Sequence, residues 1–259
     1  MSENPPAIEM RGVDVGAMRD QTLTIVENVT WSVAPGEFWV LAGPQRSGKS
    51  DLLMLAAGLM GPVKGRYEFF GNRMPLFDEA QLGERLRLGF VFENGGLFRH
   101  LTIAENLALP LRYHGRMTDG ATEEAVGKLL ELTGLTPLAG QAPAHVGRSW
   151  LKRAGLARAL ALQPGVLLLD NPLGGLDARH ARWWLGFLDE LRRGHEWAGG
   201  KPMTLVVTAD DLRPWRGGAR RFALLKEKKF IPLGAWSEVE NARDPAVEEL
   251  LAAPLELAS

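Results

Sequence analysis

Eight consecutive residues have the types and the spacing needed to hold a chain of phosphates. They read Gly43-Pro44-Gln45-Arg46-Ser47-Gly48-Lys49-Ser50 and fit the Walker A pattern G-x-x-x-x-G-K-[ST]. Glycines let backbone N–H groups curl around an anion, and the helix N-terminus that follows adds partial positive charge. In such a loop the lysine reaches the β- and γ-phosphates, and the hydroxyl residue binds Mg²⁺. The pattern therefore predicts an ATP site with Mg²⁺ at Ser50.

The residues on either side of this loop predict the elements that position it. The apolar run 38–42 indicates a buried strand, and residues 51–57 indicate a helix that ends near Gly58. Strand, glycine loop and helix are the context that the pattern requires. Asp51 has two interpretations: its carboxylate faces a phosphate and weakens binding, with Arg46 able to offset the charge, or it caps the helix.

The rest of the chain predicts an α/β protein. Strands are expected at 8–13, 25–33, 65–71, 88–92 and 203–208, with a hairpin at 220–233. Residues 166–169 are apolar without alternation and indicate a central parallel strand with Asp170 at its tip. Helices are expected at 102–109, where Pro110 stops the first, and at 119–133, 149–162, 178–193 and 246–253.

Composition excludes several other classes of protein. The chain has 259 residues, a net charge of −1 and no cysteine, so disulfides and thiol chemistry are excluded and nothing favours a nucleic-acid partner. Its polar, proline-containing N-terminus does not resemble a signal peptide, and no apolar run approaches the ~18 residues of a membrane span. These features predict a cytoplasmic protein.

The order of these parts resembles the ATP-binding subunit of ABC transporters over essentially the whole chain. Gly174-Gly175-Leu176-Asp177 looks like the D-loop of that family, and residues 156–162 match the helix that follows its signature motif. Segments 92–98 and 104–111 look most like the Mla/Mce lipid-transport type. The resemblance implies a P-loop NTPase core with an antiparallel β subdomain and an inserted helical subdomain, and it implies Asp170 as a second Mg²⁺ ligand.

The resemblance also implies the domain layout and the partners. The whole chain, 1–259, is expected to be a single ABC-type ATP-binding domain. The β subdomain and α/β core are expected at 1–92 and 164–235, the helical insert with the signature helix at 93–163, and a C-terminal helix at 236–259. A membrane permease is expected to bind near Gly95–Phe98 and to hold the chain on the inner face of the membrane. A second ATP-binding subunit is expected to complete a dimer.

Three positions that drive hydrolysis in the family carry other residues here. The catalytic glutamate after Asp170 is replaced by Asn171, which can hold a water but cannot accept its proton. The switch histidine is replaced by Ala209, and the Q-loop glutamine by Glu93, which retains the ability to reach Mg²⁺. Losing a general base typically slows a reaction on the order of 10²–10⁴-fold.

The signature motif is altered too. It falls on Val146-Gly147-Arg148-Ser149-Trp150, so the segment Gly147, Arg148 and Ser149 is expected to face the nucleotide of the partner subunit. Arg148 has three interpretations, because it either offers a guanidinium to that phosphate, holds the dimer apart through its bulk, or is solvated. An adenine-stacking aromatic residue is absent at Gly16 and Ala17, and Trp31 and Trp39 are assigned to strand packing.

These departures support a leading hypothesis and two alternatives. The leading hypothesis is a catalytically impaired ATP-binding subunit, non-hydrolysing or very slow, that partners a permease in lipid or solute transport. Because each site in a dimer joins motifs of both chains, a competent second subunit is favoured over a copy of this chain. The alternatives are a slow but genuine ATPase in which Asn171 or Glu93 positions water, and a scaffold that binds no nucleotide.

Overall fold

The computed structural model describes residues 5–74, 81–115 and 117–252. The strands are β1 (Ile8–Ala17), β2 (Asp20–Val33), β3 (Phe38–Ala42), β4 (Lys64–Phe69), β5 (Asn72–Arg73), β6 (Leu88–Val91), β7 (Val166–Leu169), β8 (Thr204–Ala209), β9 (Arg221–Lys226) and β10 (Lys229–Gly234). The α-helices are α1 (Lys49–Ala56), α2 (Leu82–Arg85), α3 (Ile103–His114), α4 (Asp119–Thr133), α5 (Arg148–Leu160), α6 (Ala178–Arg193), α7 (Trp236–Glu240) and α8 (Pro245–Leu251). The chain divides into two compact units, Met1–Pro75 with Val206–Ser259, and Leu76–Leu205.

The first unit is built on a mixed sheet. Its strands lie in the order β5-β4-β1-β2-β10-β9-β3-β8. The long hairpin of β1 and β2 is antiparallel and sets Ile8 opposite Val33, whereas β3 is parallel to β9 and sets Trp39 opposite Arg221. All five residues of β3 are buried, as expected for a strand without alternation. This buried strand leads directly into the loop that begins at residue 43.

The second unit places four longer helices beside a parallel strand pair. Strands β6 and β7 pair in parallel, with Leu88 opposite Val166. Helix α3 begins with a capping box, in which the Thr102 hydroxyl accepts from the Glu105 N–H and the Glu105 carboxylate accepts from the Thr102 N–H. Helix α4 ends at Gly134, whose φ of 69° is the left-handed conformation that glycine favours at a helix C-terminus. The predicted 119–133 helix is thereby confirmed.

One predicted helix end is wrong. Helix α3 does not stop at Pro110 but continues to His114. A proline inside a helix removes one N–H donor and crowds the preceding turn, which usually ends or kinks the helix. Here buried side chains lie on both sides of it, at Leu107 and Leu111, so packing of the helix face outweighs the lost bond.

Two strands are longer than predicted, because β1 runs to Ala17 rather than to residue 13 and β2 begins at Asp20 rather than at residue 25. The 220–233 hairpin is confirmed as β9 and β10, which pair antiparallel. The predicted closing helix is α8, and Ala253 lies outside the described residues. Trp31 and Trp39 are buried and pack edge to face, as assigned. No helix in the described ranges is long and apolar enough to cross a membrane.

Candidate nucleotide-binding site

The phosphate loop, defined as Gly43–Ser50, joins β3 to α1 in the first unit. Gly48 adopts φ 92° and lies where the helix begins, in a left-handed conformation that other residues rarely adopt. A Cβ at Gly43 would lie 2.3 Å from the Leu225 carbonyl oxygen and 2.7 Å from Ser47 Oγ. The two glycines therefore permit a tight loop with its backbone N–H groups at a helix N-terminus, which is the geometry of an anion site.

Lys49 is buried inside this loop. Its Nζ donates to the carbonyl oxygens of Gly43 and Pro44, at 2.7 and 2.8 Å, and pairs with the Asp210 carboxylate at 2.9 Å. The Lys49 side chain is 8% exposed, whereas that of Asp210 is 40% exposed. An ammonium group has three donors, so these three acceptors engage all of them. An anion is already part of this site, and Asp210 supplies it.

The polar groups of the phosphate loop are also suited to a triphosphate. Ser47 Oγ is buried and has no hydrogen-bond partner among the described residues. A buried hydroxyl without a partner is costly, and a phosphate oxygen would satisfy it. Pro44, Gln45 and Arg46 are exposed at the tip of the loop, and Arg46 has a positive φ of 63°.

Asp51 lies in the first turn of α1, where a carboxylate suits the partial positive charge of the helix N-terminus. Its Oδ1 accepts a hydrogen bond from the backbone N–H of Met18 at 3.0 Å, in the turn between β1 and β2. Met18 is 57% exposed. Asp51 thus ties that turn to α1, a contact that could not be predicted because its partner is a main-chain group 33 residues away.

At the position where the family has its switch histidine, this chain has Ala209. Ala209 ends β8 and is 3% exposed, so no polar side chain extends from it. The next residue, Asp210, makes the ion pair with Lys49 instead. The sequence did not single out Asp210 as a site residue, although its place directly after Ala209 could have indicated it.

In the second unit, three of the altered positions meet in what we name the carboxylate cluster: Glu93, Arg148 and Asn171. Asn171 Nδ2 donates to Glu93 Oε1 at 3.1 Å, and Arg148 Nη2 lies 3.6 Å from the same oxygen. Arg148 is 57% exposed, and its guanidinium forms an exposed ion pair with the carboxylate of Glu93. The cluster brings together residues that are far apart in the sequence.

A buried lysine that the sequence analysis missed supports this cluster. Lys152 is 1% exposed and its Nζ donates to the carbonyl oxygens of Asn171 at 2.7 Å and Gly174 at 2.8 Å. Asn171 has φ 43°, a left-handed backbone that an asparagine tolerates at some cost. Lys152 stabilises that conformation. Its spacing of four residues from the buried Leu156 was the signal that it faces inward.

The altered signature segment lies at the start of α5. Gly147 is exposed at the N-cap, Arg148 begins the helix, and Ser149 is half-buried. The guanidinium of Arg153 stacks over the Trp183 ring at 3.7 Å and the Trp150 ring at 4.7 Å. Burial, followed by the positive charge of Arg179, lowers the pKa of Arg153. The stack ties the start of α5 to α6.

The D-loop segment ends in a capped helix. The Asp177 carboxylate accepts from the His180 backbone N–H at 2.8 Å and contacts the His180 ring at 2.8 Å. The hydrogen bond from the His180 N–H is the main cause of a lowered pKa at Asp177, and the bond to the ring adds to it. Asp177 therefore stays ionised and caps α6.

A separate apolar groove lies in the second unit. It has a volume of about 550 Å³ and is lined mainly by apolar side chains, among them Phe92, Phe98 and Leu109, with Tyr113 80% exposed at its edge. Arg158 donates to the carbonyl oxygens of Gly96 at 2.8 Å and Gly95 at 3.3 Å, which fixes the turn at one side. Burial lowers the pKa of the Arg158 guanidinium.

A buried parallel strand, a glycine loop that encloses a lysine, and a helix that begins at the loop define a P-loop NTPase of the ABC type. The sequence profile described as "ABC transporter" matches residues 26–174, more than half of the chain, and the chain belongs to that family. It contains the ATP-binding part of an ABC transporter, and the predicted fold class is confirmed.

The relatives of this chain include ATP-binding proteins of two transport systems. The sulfate/thiosulfate import ATP-binding protein CysA of Yersinia pseudotuberculosis is 38% identical over 88% of this chain, and this chain spans 60% of that protein. CysA of Caulobacter vibrioides is 35% identical over 85% of this chain and 63% of its own length. The intermembrane phospholipid transport system ATP-binding protein MlaF of Escherichia coli K12 is 29% identical over 90% of this chain and 87% of MlaF.

Solved structures agree on the fold. The dimeric, post-hydrolysis structure of the ATP-binding cassette MJ0796 with ADP and Pi matches with a TM-score of 0.75 at 28% identity. That match covers 86% of this chain and 96% of MJ0796. CbiO1 of Clostridium perfringens, part of the CbiONQ complex, matches at 0.76 over 93% of this chain and 92% of its own, with 20% identity, which supports the fold alone.

Proposed function

We propose that this chain binds Mg·ATP and hydrolyses it slowly or not at all, as one ATP-binding subunit of a transporter. The observation that carries the proposal is the phosphate loop around Lys49, which is complete. It contrasts with Asn171 and Ala209, neither of which can remove a proton from water or contact a phosphate as histidine does. Binding is retained and the chemical step is weakened.

Mg²⁺ is proposed to be held by Ser50 and Asp170, with Glu93 as a further oxygen ligand. Hydroxyl and carboxylate oxygens are the ligands that Mg²⁺ prefers, and it is usually bound by one or two of them together with substrate phosphates and water. The ion would neutralise charge on the β- and γ-phosphates. These assignments follow the family pattern residue by residue.

The proposed membrane partner is a permease, and the apolar groove is its proposed docking place. Side chains of Phe92, Phe98 and Leu109 are more than a third exposed there, which is typical of a surface that a partner covers. Docking at this groove would hold the chain on the inner, cytoplasmic face of the membrane. The likeness to MlaF supports a lipid as cargo, and the likeness to CysA makes sulfate the alternative.

The proposed dimer joins this chain to a competent second subunit. In a homodimer both sites would combine Asn171 and Ala209 with the altered segment at Arg148. In a heterodimer each site would contain only one of these defects, and hydrolysis would occur at the partner's Walker motifs. Co-purification of the chain with a candidate subunit and permease, followed by sizing, tests the composition.

ATP titration with two parallel readouts tests the function. At 100 times its dissociation constant, ATP should raise the free energy of unfolding by about 2.7 kcal/mol. Lys49→Ala should abolish the shift, whereas Lys64→Ala, on the exposed part of β4, should not. No thermal shift at millimolar Mg·ATP would contradict the proposal and favour the scaffold hypothesis.

A slow but genuine ATPase is the second candidate, and one observation favours it. Glu93 places a carboxylate within hydrogen-bonding distance of the side chain that stands where the family has its catalytic glutamate. Steady-state phosphate release that Lys49→Ala abolishes would distinguish slow turnover from static binding.

A further inference from the structure

We propose that the ion pair between Lys49 and Asp210 is an autoinhibitory contact, and that a phosphate ligand which breaks this pair loosens helix α8. The phosphate loop, the segment that follows β8 and helix α8 all belong to the first unit. The inference rests on the proposed function, because Mg·ATP is the ligand that would break the pair. It adds to that function a coupling between the phosphate loop and α8.

The first support is that a phosphate and the Asp210 carboxylate compete for one ammonium group. Lys49 has three donors, and two loop carbonyls and Asp210 engage them. A phosphate that reaches Lys49 must therefore replace an acceptor. The Asp210 side chain is 40% exposed and can turn towards solvent. Because like charges within ~4 Å repel each other, a bound phosphate would displace Asp210 rather than share Lys49 with it.

The second support is the short path from Asp210 to α8. Two residues further on, the backbone N–H of Leu212 donates to the carbonyl oxygen of Leu250 at 3.0 Å. Leu250 lies in the last turn of α8, where carbonyl groups have no partner within the helix. The Leu212 side chain is fully buried, so this segment packs against the core. A displacement of Asp210 therefore disturbs the hydrogen bond that caps α8.

The other end of α8 is anchored beside the phosphate loop. Asp244 is the N-cap of α8, and its carboxylate pairs with Lys226 at 2.5 Å. Lys226 is the last residue of β9. The carbonyl oxygen of the preceding residue, Leu225, lies where a Cβ at Gly43 would be only 2.3 Å away. One anchor of α8 thus comes from a strand that contacts the loop, and the other from the segment that carries Asp210.

The shortness of α8 makes it sensitive to these anchors. It has seven residues, and its buried side chains are Val247 and Leu250. A helix this short is unstable by itself in water, so its order depends on contacts with the rest of the unit. Loss of the bond from Leu212 should therefore be detectable as local opening of α8.

Hydrogen exchange of the purified full chain, with and without saturating Mg·ATP, tests the coupling. Bound ATP should speed exchange about fivefold or more over residues 210–215 and 246–251. Binding ordinarily protects a protein, so acceleration confined to these two segments would not follow from binding alone. Lys49→Ala should show no ATP-dependent change. Unchanged or slower exchange of α8 in the ATP-bound wild type overturns the coupling.

A second measurement uses the reciprocity of coupled equilibria. If bound ATP loosens α8, a loosened α8 must favour ATP. Val247→Ala shortens a fully buried side chain of α8, and we expect about threefold tighter binding of Mg·ATP by calorimetric titration. Val33→Ala is the matched control, because Val33 is equally buried at the end of β2, and its affinity should equal that of the wild type. Unchanged or weaker affinity in Val247→Ala overturns the coupling.

Titration of Asp210→Asn separates this proposal from the proposed function. If the wild type does not bind ATP and Asp210→Asn does, the proposed function fails and the autoinhibitory contact is supported. If neither protein binds ATP, both proposals fail. If both bind with equal affinity, the proposed function stands and the autoinhibitory contact is overturned.

Discussion

The phosphate loop and the carboxylate cluster each contain a buried lysine, but the two ammonium groups face different partners. Lys49 pairs with the carboxylate of Asp210, a side chain that is 40% exposed. Lys152 donates to main-chain carbonyls of the segment from Asn171 to Gly174. A phosphate can replace a half-exposed carboxylate, whereas carbonyls of the chain itself cannot leave. The first lysine is therefore suited to exchange a ligand, and the second to hold a loop.

The largest effect should come from removing the lysine that holds the loop. Lys152→Met keeps most of the buried chain but leaves the carbonyls of Asn171 and Gly174 without their donor. It should lower the free energy of unfolding by about 3 kcal/mol, measured by denaturant titration. Lys128→Met breaks an exposed pair with Glu124 and should change it by less than about 0.5 kcal/mol. If both variants changed the free energy of unfolding by the same small amount, Lys152 would not be the residue that holds the loop.

A smaller effect should follow from removing the carboxylate that pairs with Lys49. Asp210→Asn removes the anion that competes with phosphate for Lys49, and we expect ATP to bind about tenfold more tightly by calorimetric titration. Asp211→Asn is the matched control, because Asp211 pairs with Arg213 at 2.7 Å in the same turn. Unchanged or weaker affinity in Asp210→Asn would show that the ion pair supports the loop rather than competing with its ligand.

The smallest effect concerns pH and the helix that follows the cluster. The pKa of Asp177 is lowered by its bonds to His180, so its contribution to stability is present above the ordinary value of 3.8. That contribution is lost as pH falls through the lowered pKa. Melting curves should therefore separate wild type from Asp177→Asn at neutral pH and converge in acid. Glu131→Gln, exposed at the end of α4, should show no such convergence.

The phosphate loop could be predicted because its information is contiguous. Gly43, Gly48 and Lys49 act through spacing along the chain and through the strand and helix that flank them. The contacts that were missed, Asp210 with Lys49 and Lys152 with Asn171, join segments that only the fold brings together. The hydrogen bond of Asp51 could not be predicted for the same reason, since its partner is a distant backbone N–H.

The continuation of α3 past Pro110 could not be predicted, for a different reason. Local rules end a helix there, but the burial of Leu107 and Leu111 depends on packing that a sequence does not display. The contact between Glu93 and Asn171 could be predicted only in part. The sequence shows both substitutions, but only the 3.1 Å distance shows that the two side chains interact.

The guanidinium of Arg153 between Trp150 and Trp183 has a mechanical consequence. Arg153 and Trp150 belong to α5 and Trp183 belongs to α6, so the stack of the guanidinium on Trp183 links the two helices, and a rotation of either about its own axis would break it. In the proposed dimer, closure on nucleotide should therefore move the start of α5 and the helix beyond Asp177 together.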